Sequence, residues 1–480
     1  MNNEIYNFPS YKIHSLLKKK EIKAEDVVLS CIKRIEEKEP KINAFITKTF
    51  DTALADAKAI DKKIAKDEPI SPLSGIPISI KDNICTKGIE TTCASHILSG
   101  FIPPYDATVV KRLKDAGAII IGKTNMDEFA FGSSCEHSCF GTTKNPHNLD
   151  YVPGGSSGGS SASVASCEAI LSLGSDTGGS IRQPASFCGV VGLKPTYGIV
   201  SRYGLIAFAS SLDQIGPLTK DVRDCAILLN AISGFDENDE TSIKQPKIDY
   251  TNSLDNDISK MKIGIPKEYF EGIDGEVKDA IMNVLKGLSS LNVEIIEVSL
   301  PHSQYAIPVY YIIACSEASS NLARFDGVQY GLREEDKSLF GMYRKTRSKG
   351  FGDEAKRRII LGTYALSSGY YDAYYLKAQK VRSLIRKDFD DAFSKVSLLI
   401  TPTSPTPPFK IGEKTEDPLS MYLSDILTVS SNLTGYPAIS IPCKKTKEGL
   451  PIGLQIIGHY LSEGEILSLA YHIEKLEKFL

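Results

Sequence analysis

Between residues 10 and 66 the apolar positions follow the spacing of a helix face. Ile13, Leu16 and Leu17 form one set, and Val27, Val28, Cys31, Ile32 and Ile35 a second, so this stretch is expected to be helical. Ser10 and the run Ala24-Glu25-Asp26 provide helix starts. Further on the period changes. Short apolar runs at 76–80 (I-P-I-S-I), 118–121 (A-I-I-I), 169–173 (A-I-L-S-L) and 190–193 (V-V-G-L) predict strands, with helical pieces such as 107–116 between them. Residues 265–300 repeat the strand, helix, strand order. Residues 303–395 are mainly helical and rich in tyrosine, and strands return at 398–400, 438–442 and 453–458. Strands alternating with helices predict an α/β fold with an open, twisted, mixed but largely parallel sheet, covered by helices on both faces.

The polar stretch 236–262 reads as a surface excursion, and T-P-T-S-P-T-P-P (401–408) as a loop too short to separate domains. The expectation is therefore one domain over 1–480. It would hold a helical N-terminal region (1–66), a core (73–235) and a helical substrate-side insertion (about 303–395). With 480 residues, 42% of them hydrophobic, the chain can bury a large core.

A formal net charge of −3 argues against a chain that grips nucleic acid by itself. The ten cysteines contain no C-x-x-C pair. Cys135 and Cys139 flank His137 without a further ligand at zinc spacing, so no metal site is expected, and free, buried thiols in a reducing compartment are. The N-terminus lacks the basic and apolar pattern of a secretory signal, and no apolar run is long enough to span a membrane. A cytoplasmic location, or an organelle matrix, follows as an expectation.

Two motifs mislead. G-A-I-I-I-G-K-T (117–124) matches the phosphate-loop pattern letter for letter. Its supposed loop reads as a strand, however, and strand N–H groups are spent on the sheet rather than on phosphates. G-G-S-S-G (154–158) matches the nucleophile elbow of α/β-hydrolases, but N-L-D-Y-V-P precedes it where a strand is required. The later histidines, His302, His459 and His472, have no catalytic context. A serine nucleophile here would need another base.

D-T-G-G-S-I-R-Q-P-A (176–185) fits better. It places Ser180 between a strand end and a helix start, and Gly178 and Gly179 allow a sharp turn with outward N–H groups. Such donors suit an oxyanion. A plain tight turn with a serine helix cap accounts for the same residues. Lys81 ends the strand in L-S-G-I-P-I-S-I-K-D-N-I (73–84). It is either a solvated strand end or, if buried in the cleft at the carboxyl edge of the sheet, a base with a lowered pKa.

Lys81 in I-K-D-N, Ser156 in P-G-G-S-S-G-G and Ser180 in D-T-G-G-S, taken in this order, resemble the amidase signature family. The resemblance implies that family's fold and a Ser–Ser–Lys triad, with the bridging serine after a cis peptide bond. Ser180 would attack an amide carbonyl and Ser156 would relay its proton to Lys81. The N–H groups of Thr177, Gly178, Gly179 and Ser180 would hold the oxyanion. Asp176 and Arg182 would brace the turn as an ion pair, and Ser157 would add hydrogen bonds.

Four further stretches, 122–130, 317–331, 356–375 and 417–428, are similar to one branch of that family. These are the glutaminase (A) subunits of the heterotrimeric amidotransferases acting on Glu-tRNA(Gln) and Asp-tRNA(Asn). The resemblance implies glutamine as the ammonia source and B and C subunits as partners. Misacylated tRNA would be held mainly by the B subunit, ATP and Mg would be used by the partner subunit, and this chain would carry no cofactor. A free amino acid substrate needs one fixed cation and one fixed anion. The resemblance assigns these to Arg358, with Arg357 adjacent, and to Asp425, with Tyr310 or Tyr311 lining the pocket. Ordinary helix-surface charge is the alternative for both charged residues. Ser430, Ala438, His147 and Phe131 depart from the branch's usual proline, glycine, tryptophan and methionine, and none lies in the triad motifs. The competing functions are a free-standing amidase for another small amide and a catalytically silent scaffold protein. If residues 117–124 form a strand, the isolated chain will not bind ATP. Equilibrium dialysis with labelled ATP and Mg checks this, and saturable stoichiometric binding would contradict it.

Overall fold

A computed structural model describes residues 4–476. Residues 1–3 and 477–480, included above in the domain, lie outside the described residues. The chain opens with helices α1 (Ser10–Lys18), α2 (Ala24–Ile42) and α3 (Phe50–Ala65). The helical periodicity has its expected consequence: Val27, Val28, Cys31 and Ile35 are all buried on one face of α2. One correction is needed. Strand β1 (Phe45–Lys48) interrupts the region predicted as continuous helix. Asn43 ends α2 in the left-handed conformation (φ 58°), and four residues suffice to add an edge strand.

The core follows as β2 (Pro77–Lys81), α4 (Thr108–Asp115), β3 (Ile119–Thr124), α5 (Gly158–Ala165), β4 (Leu171–Asp176), α6 (Arg182–Cys188), β5 (Val191–Lys194), β6 (Gln214–Thr219) and α7 (Val222–Ile232). The second half continues with β7 (Lys262–Pro266), α8 (Gly275–Ser290), β8 (Glu294–Val298), α9 (Ala306–Asn321), α10 (Leu339–Gly350), α11 (Asp353–Ala365), α12 (Lys377–Phe393) and β9 (Leu398–Pro402). It closes with α13 (Pro418–Leu423), α14 (Val429–Thr434), β10 (Ala438–Lys445), β11 (Pro451–Gly458) and α15 (Glu463–Glu474).

The eleven strands form one sheet in the order β1-β3-β2-β4-β6-β5-β10-β11-β9-β7-β8. The sheet is mixed, but "largely parallel" must be corrected. Parallel pairing occurs at β2–β3, β2–β4, β7–β8 and β7–β9, whereas the middle, from β4 through β6, β5, β10 and β11 to β9, is antiparallel throughout. Two of these antiparallel pairings are made by β6, a strand the apolar pattern does not reveal. Its sequence Q-I-G-P-L-T carries a glycine and a proline, residues that argue against a central strand. Pro217 nevertheless lies opposite Leu173 in the interior of the sheet.

The pairing of β2 with β4 decides where the chemistry sits. The strands run parallel, with Ile80 beside Leu173, so both carboxyl ends emerge at one edge. Lys81 therefore ends beside the turn that follows Asp176. Ile119–Thr124, most of the 117–124 motif, is strand, as expected of its apolar run, and Lys123 is buried in an ion pair with Asp82 (3.4 Å) and a hydrogen bond to Thr91 (2.7 Å). No helix among the described residues is long and apolar enough to cross a membrane. Leu454, fully buried in β11, tests the packing of the central sheet. Leu454→Ala should destabilise the protein by about 2–5 kcal/mol, read from the urea midpoint at fixed pH.

Candidate active site

Lys81 reaches the site fully buried at the end of β2. Its Nζ donates to Ser156 Oγ at 2.7 Å, to Ser157 Oγ at 2.8 Å and to the Ser175 carbonyl at 3.3 Å. Burial pushes the Lys81 pKa down to about 7, against the opposing pull of Asp127, Cys135, Asp176 and Asp213. Of the two sequence readings of this lysine, the solvated strand end is excluded.

Ser156 and Ser157 come from the glycine-rich loop that enters α5, and the Gly155–Ser156 peptide is cis. Ser157 is a brace as well as an acceptor, since its Oγ donates to the Ser175 carbonyl at 3.0 Å. Its N–H donates to the Ser180 carbonyl at 3.1 Å, which brings the 176–181 turn alongside the loop. Ser156 is fully buried and Ser180 is 8% exposed, so of the two serines Ser180 faces the approach. No hydrogen bond joins Ser180 Oγ to Ser156 Oγ among the described residues. Catalytic contacts often tighten only when substrate is bound.

Asp176 and Arg182 hold the turn. Arg182 Nε is 3.0 Å from Asp176 Oδ2, and its η nitrogens reach Asp176, Asn432, Ser431, Gln455 and the Thr428 carbonyl. Asp176 accepts in turn from the N–H groups of Gly179 (2.8 Å) and Ile181 (3.1 Å). This corrects one assignment: the Gly179 N–H is taken by Asp176 and does not face an oxyanion. Those of Thr177, Gly178 and Ser180 donate to no acceptor among the described residues. Gly178 also needs its missing side chain, because a Cβ there would overlap the Tyr310 ring, and the Gly178 carbonyl accepts from Thr428 Oγ1 at 2.6 Å.

Neither proposed charge is surface charge. Arg358 is 2% exposed on α11, while the side chain of Arg357 is 46% exposed, which settles which arginine points inward. Arg358 Nε donates to Glu354 at 2.8 Å, and Glu354 also accepts from Tyr422. Rings of Phe131, Phe208, Tyr311 and Tyr422 surround the guanidinium at 5.1–5.8 Å. Its η nitrogens donate to no described residue. Tyr311 stacks on Tyr422 with centroids 3.9 Å apart, and Tyr310 packs edge-on to Tyr311. Asp425 is 7% exposed. Its Oδ2 accepts from Ser133, and its Oδ1 has no partner among the described residues. Burial pushes its pKa up to about 7.

The sequence does not point to Ser133, Gln183, Glu354, Tyr422 or Thr428. Glu354 was within reach, because it lies four residues before Arg358 on one helix, the spacing of an ion pair. Gln183 was not. Its side chain accepts from the Gly155 N–H at 2.9 Å and donates to the Ser133 carbonyl at 2.9 Å, a link that exists only in three dimensions. Two of the later histidines are paired elsewhere: His302 with Asp388 and His459 with Glu465.

A fully buried lysine bonded to two serines, at the foot of a glycine turn bearing a third, is the equipment of a serine amidohydrolase without histidine. The chain belongs to the Amidase family, whose model matches residues 26–467. It is 58% identical over 474 residues to the A subunit of the glutamyl-tRNA(Gln) amidotransferase of Heliobacterium modesticaldum, covering 98% of this chain and 97% of that one. It is 59% identical over 478 residues to the protein of the same name from Thermoanaerobacter pseudethanolicus, covering 99% and 98%. The crystal structure of the A subunit of the glutamyl-tRNA(Gln) amidotransferase of Thermotoga maritima superposes with a TM-score of 0.83 at 43% identity, covering 99% of this chain and 96% of that chain.

Lys81 accepts a proton only when neutral, above about pH 7, so Ser180 loses its base as the pH falls. Labelling of Ser180 by a fluorophosphonate should therefore rise between about pH 6 and about pH 8 and then level off. A pH-independent rate, or one that Lys81→Met leaves unchanged, would contradict this assignment.

Proposed function

We propose that this chain is the glutamine-hydrolysing component of a tRNA-dependent amidotransferase. It would supply ammonia for the amidation of Glu-tRNA(Gln), Asp-tRNA(Asn) or both. One observation carries the reading. A buried guanidinium with free donors and a buried carboxylate with an unpartnered oxygen flank one serine turn. An α-amino acid brings the complementary pair, a carboxylate and an ammonium, and a simple amide brings neither. Arg358 takes the α-carboxylate and Asp425 Oδ1 the α-ammonium. Tyr310 and Tyr311 line the chain between them, so the side-chain amide extends toward Ser180.

Ser180 Oγ attacks the amide carbon as its proton moves to Ser156 Oγ, which passes its own proton to neutral Lys81. The carbonyl oxygen, now an oxyanion, is held by the N–H groups of Thr177, Gly178 and Ser180. The proton returns through Ser156 to the nitrogen, the C–N bond breaks and ammonia leaves. Water activated by the same relay cleaves the acyl-serine and releases glutamate. Asp176 and Arg182 keep the turn in place and Ser157 steadies Lys81. No cofactor takes part in these steps.

The curated relatives are named as subunits, which supports an assembly with other chains. In our reading these are B and C subunits in a heterotrimer. The B subunit holds the misacylated tRNA and uses ATP and Mg, and the complex works in the cytoplasm or an organelle matrix. Ser180→Ala, assembled with those subunits, should lose glutamine-dependent amidation by at least about a thousandfold while keeping ammonia-dependent amidation. Unchanged amidation with glutamine would overturn the assignment. Fast turnover of unrelated amides by the isolated chain, indifferent to partners, would instead establish a free-standing amidase.

A further inference from the structure

Two buried carboxylates beside the site have no part in these steps. Asp127 and Glu128 follow β3 and are 0% and 4% exposed. The Asp127 N–H donates to the Ser156 carbonyl at 3.3 Å. Its carboxylate accepts from the N–H groups of Cys135 (2.9 Å) and His137 (3.1 Å). It also fills the space beside two glycines, since a Cβ on Gly132 or on Gly155 would overlap it. One side chain thus clamps the 132–137 loop against the Gly155–Ser156 segment. That loop contributes Ser133, whose hydroxyl donates to Asp425.

Glu128 faces the other way. Both of its oxygens accept from the Gly352 N–H, at 3.0 and 2.9 Å, and Ser95 donates to one of them. Gly352 is the N-terminal cap of α11, the helix that carries Glu354 and Arg358, so the carboxylate also meets the positive end of that helix. Here too a Cβ on the glycine would run into the carboxylate. The next two residues, Phe129 (φ 49°) and Ala130 (φ 64°), both adopt the left-handed conformation without being glycine. Such a turn persists only where surrounding contacts over-determine it.

We propose that Asp127 and Glu128 are positioning residues that set the separation between the proton relay and the two ends of the substrate pocket. Asp127 seats Ser156 and the Ser133–Asp425 contact, and Glu128 seats Arg358 by anchoring α11. The assignment of the pocket ends rests on the glutamine reading above. Two buried carboxylates with purely structural roles would lower stability when changed, but would not separate binding from turnover.

The test uses Asp127→Asn and Glu128→Gln in the assembled complex. Glu128→Gln should raise KM for glutamine about tenfold with kcat within about threefold, because it moves only the arginine. It should leave fluorophosphonate labelling of Ser180 unchanged, since that probe carries no α-carboxylate, and should speed amide exchange at residues 353–358. Asp127→Asn should cut both kcat and the labelling rate about tenfold. It should also move the acid limb of the labelling profile to lower pH. The groups facing Lys81 are Asp127, Cys135, Asp176 and Asp213, and losing one negative charge makes the ammonium form easier to deprotonate. Gly132→Ala and Gly352→Ala press on the same two carboxylates without removing their charge, and should reproduce the kinetic and labelling effects, but not the shift of the acid limb, if either first variant fails to fold. Wild-type kinetics in both variants, or equal losses in kcat and labelling from both with no shift of the acid limb, would overturn the proposal. A wild-type complex that does not hydrolyse glutamine would defeat the functional reading. The labelling profile and the exchange at 353–358 would still decide the positioning roles.

Discussion

The site depends on the ion pair between Asp176 and Arg182. Both side chains are fully buried, and a lone charge at that depth would be strongly destabilising. Burial pushes the Asp176 carboxyl up, but the Arg182 guanidinium more than reverses this and holds it at about 2. Its two oxygens then accept the N–H groups that shape the 176–181 turn, so the charge that stabilises the pair also shapes the nucleophile's backbone. The remaining donors of Arg182 reach Thr428, Ser431, Asn432 and Gln455. The pair therefore joins the turn to the segment that begins with Asp425. The turn that carries Ser180 and the segment that carries Asp425 are placed by one interaction.

Around this fixed pair lie groups whose charge is left adjustable. Lys81 and Asp425 are both buried without a close ion-pair partner among the described residues, and burial moves both toward neutrality, the lysine down and the carboxyl up. Arg358 differs because Glu354 is bonded to it. In our reading the contrast matches the roles. A base must give up its proton near neutral pH, and an ammonium site gains from an unsatisfied oxygen. A carboxylate site needs a permanent cation.

The fold and the relatives place the chain in a family with a shared serine and lysine chemistry, and in our reading the pocket gives it a substrate class. Relatives that share the sheet need not share the substrate, because fold and specificity are carried by different residues. Here the sheet core supplies Lys81 and the turn. The pocket ends come from α11 and the segment after α13, on the helical second half of the chain.

Much of this was legible in the sequence. Apolar runs located most strands, helical spacing located α1, α2 and α8, and three short motifs identified Lys81, Ser156 and Ser180. These are local signals, and local backbone preferences survive into the folded chain. Strand β6 was not legible, because Gly216 and Pro217 argue against a strand unless neighbours on both sides hold it, and β1 was hidden behind the helix it follows. The capture of the Gly179 N–H by Asp176 was equally invisible, as were the Gln183 bridge and the inward turn of Arg358 rather than Arg357. Each depends on which groups meet across long separations in the chain. The sequence determined which chemistry was available. Parallel pairing of β2 with β4, and the burial it imposes, decided that Lys81 meets Ser156 and Ser157 beside the turn that carries Ser180.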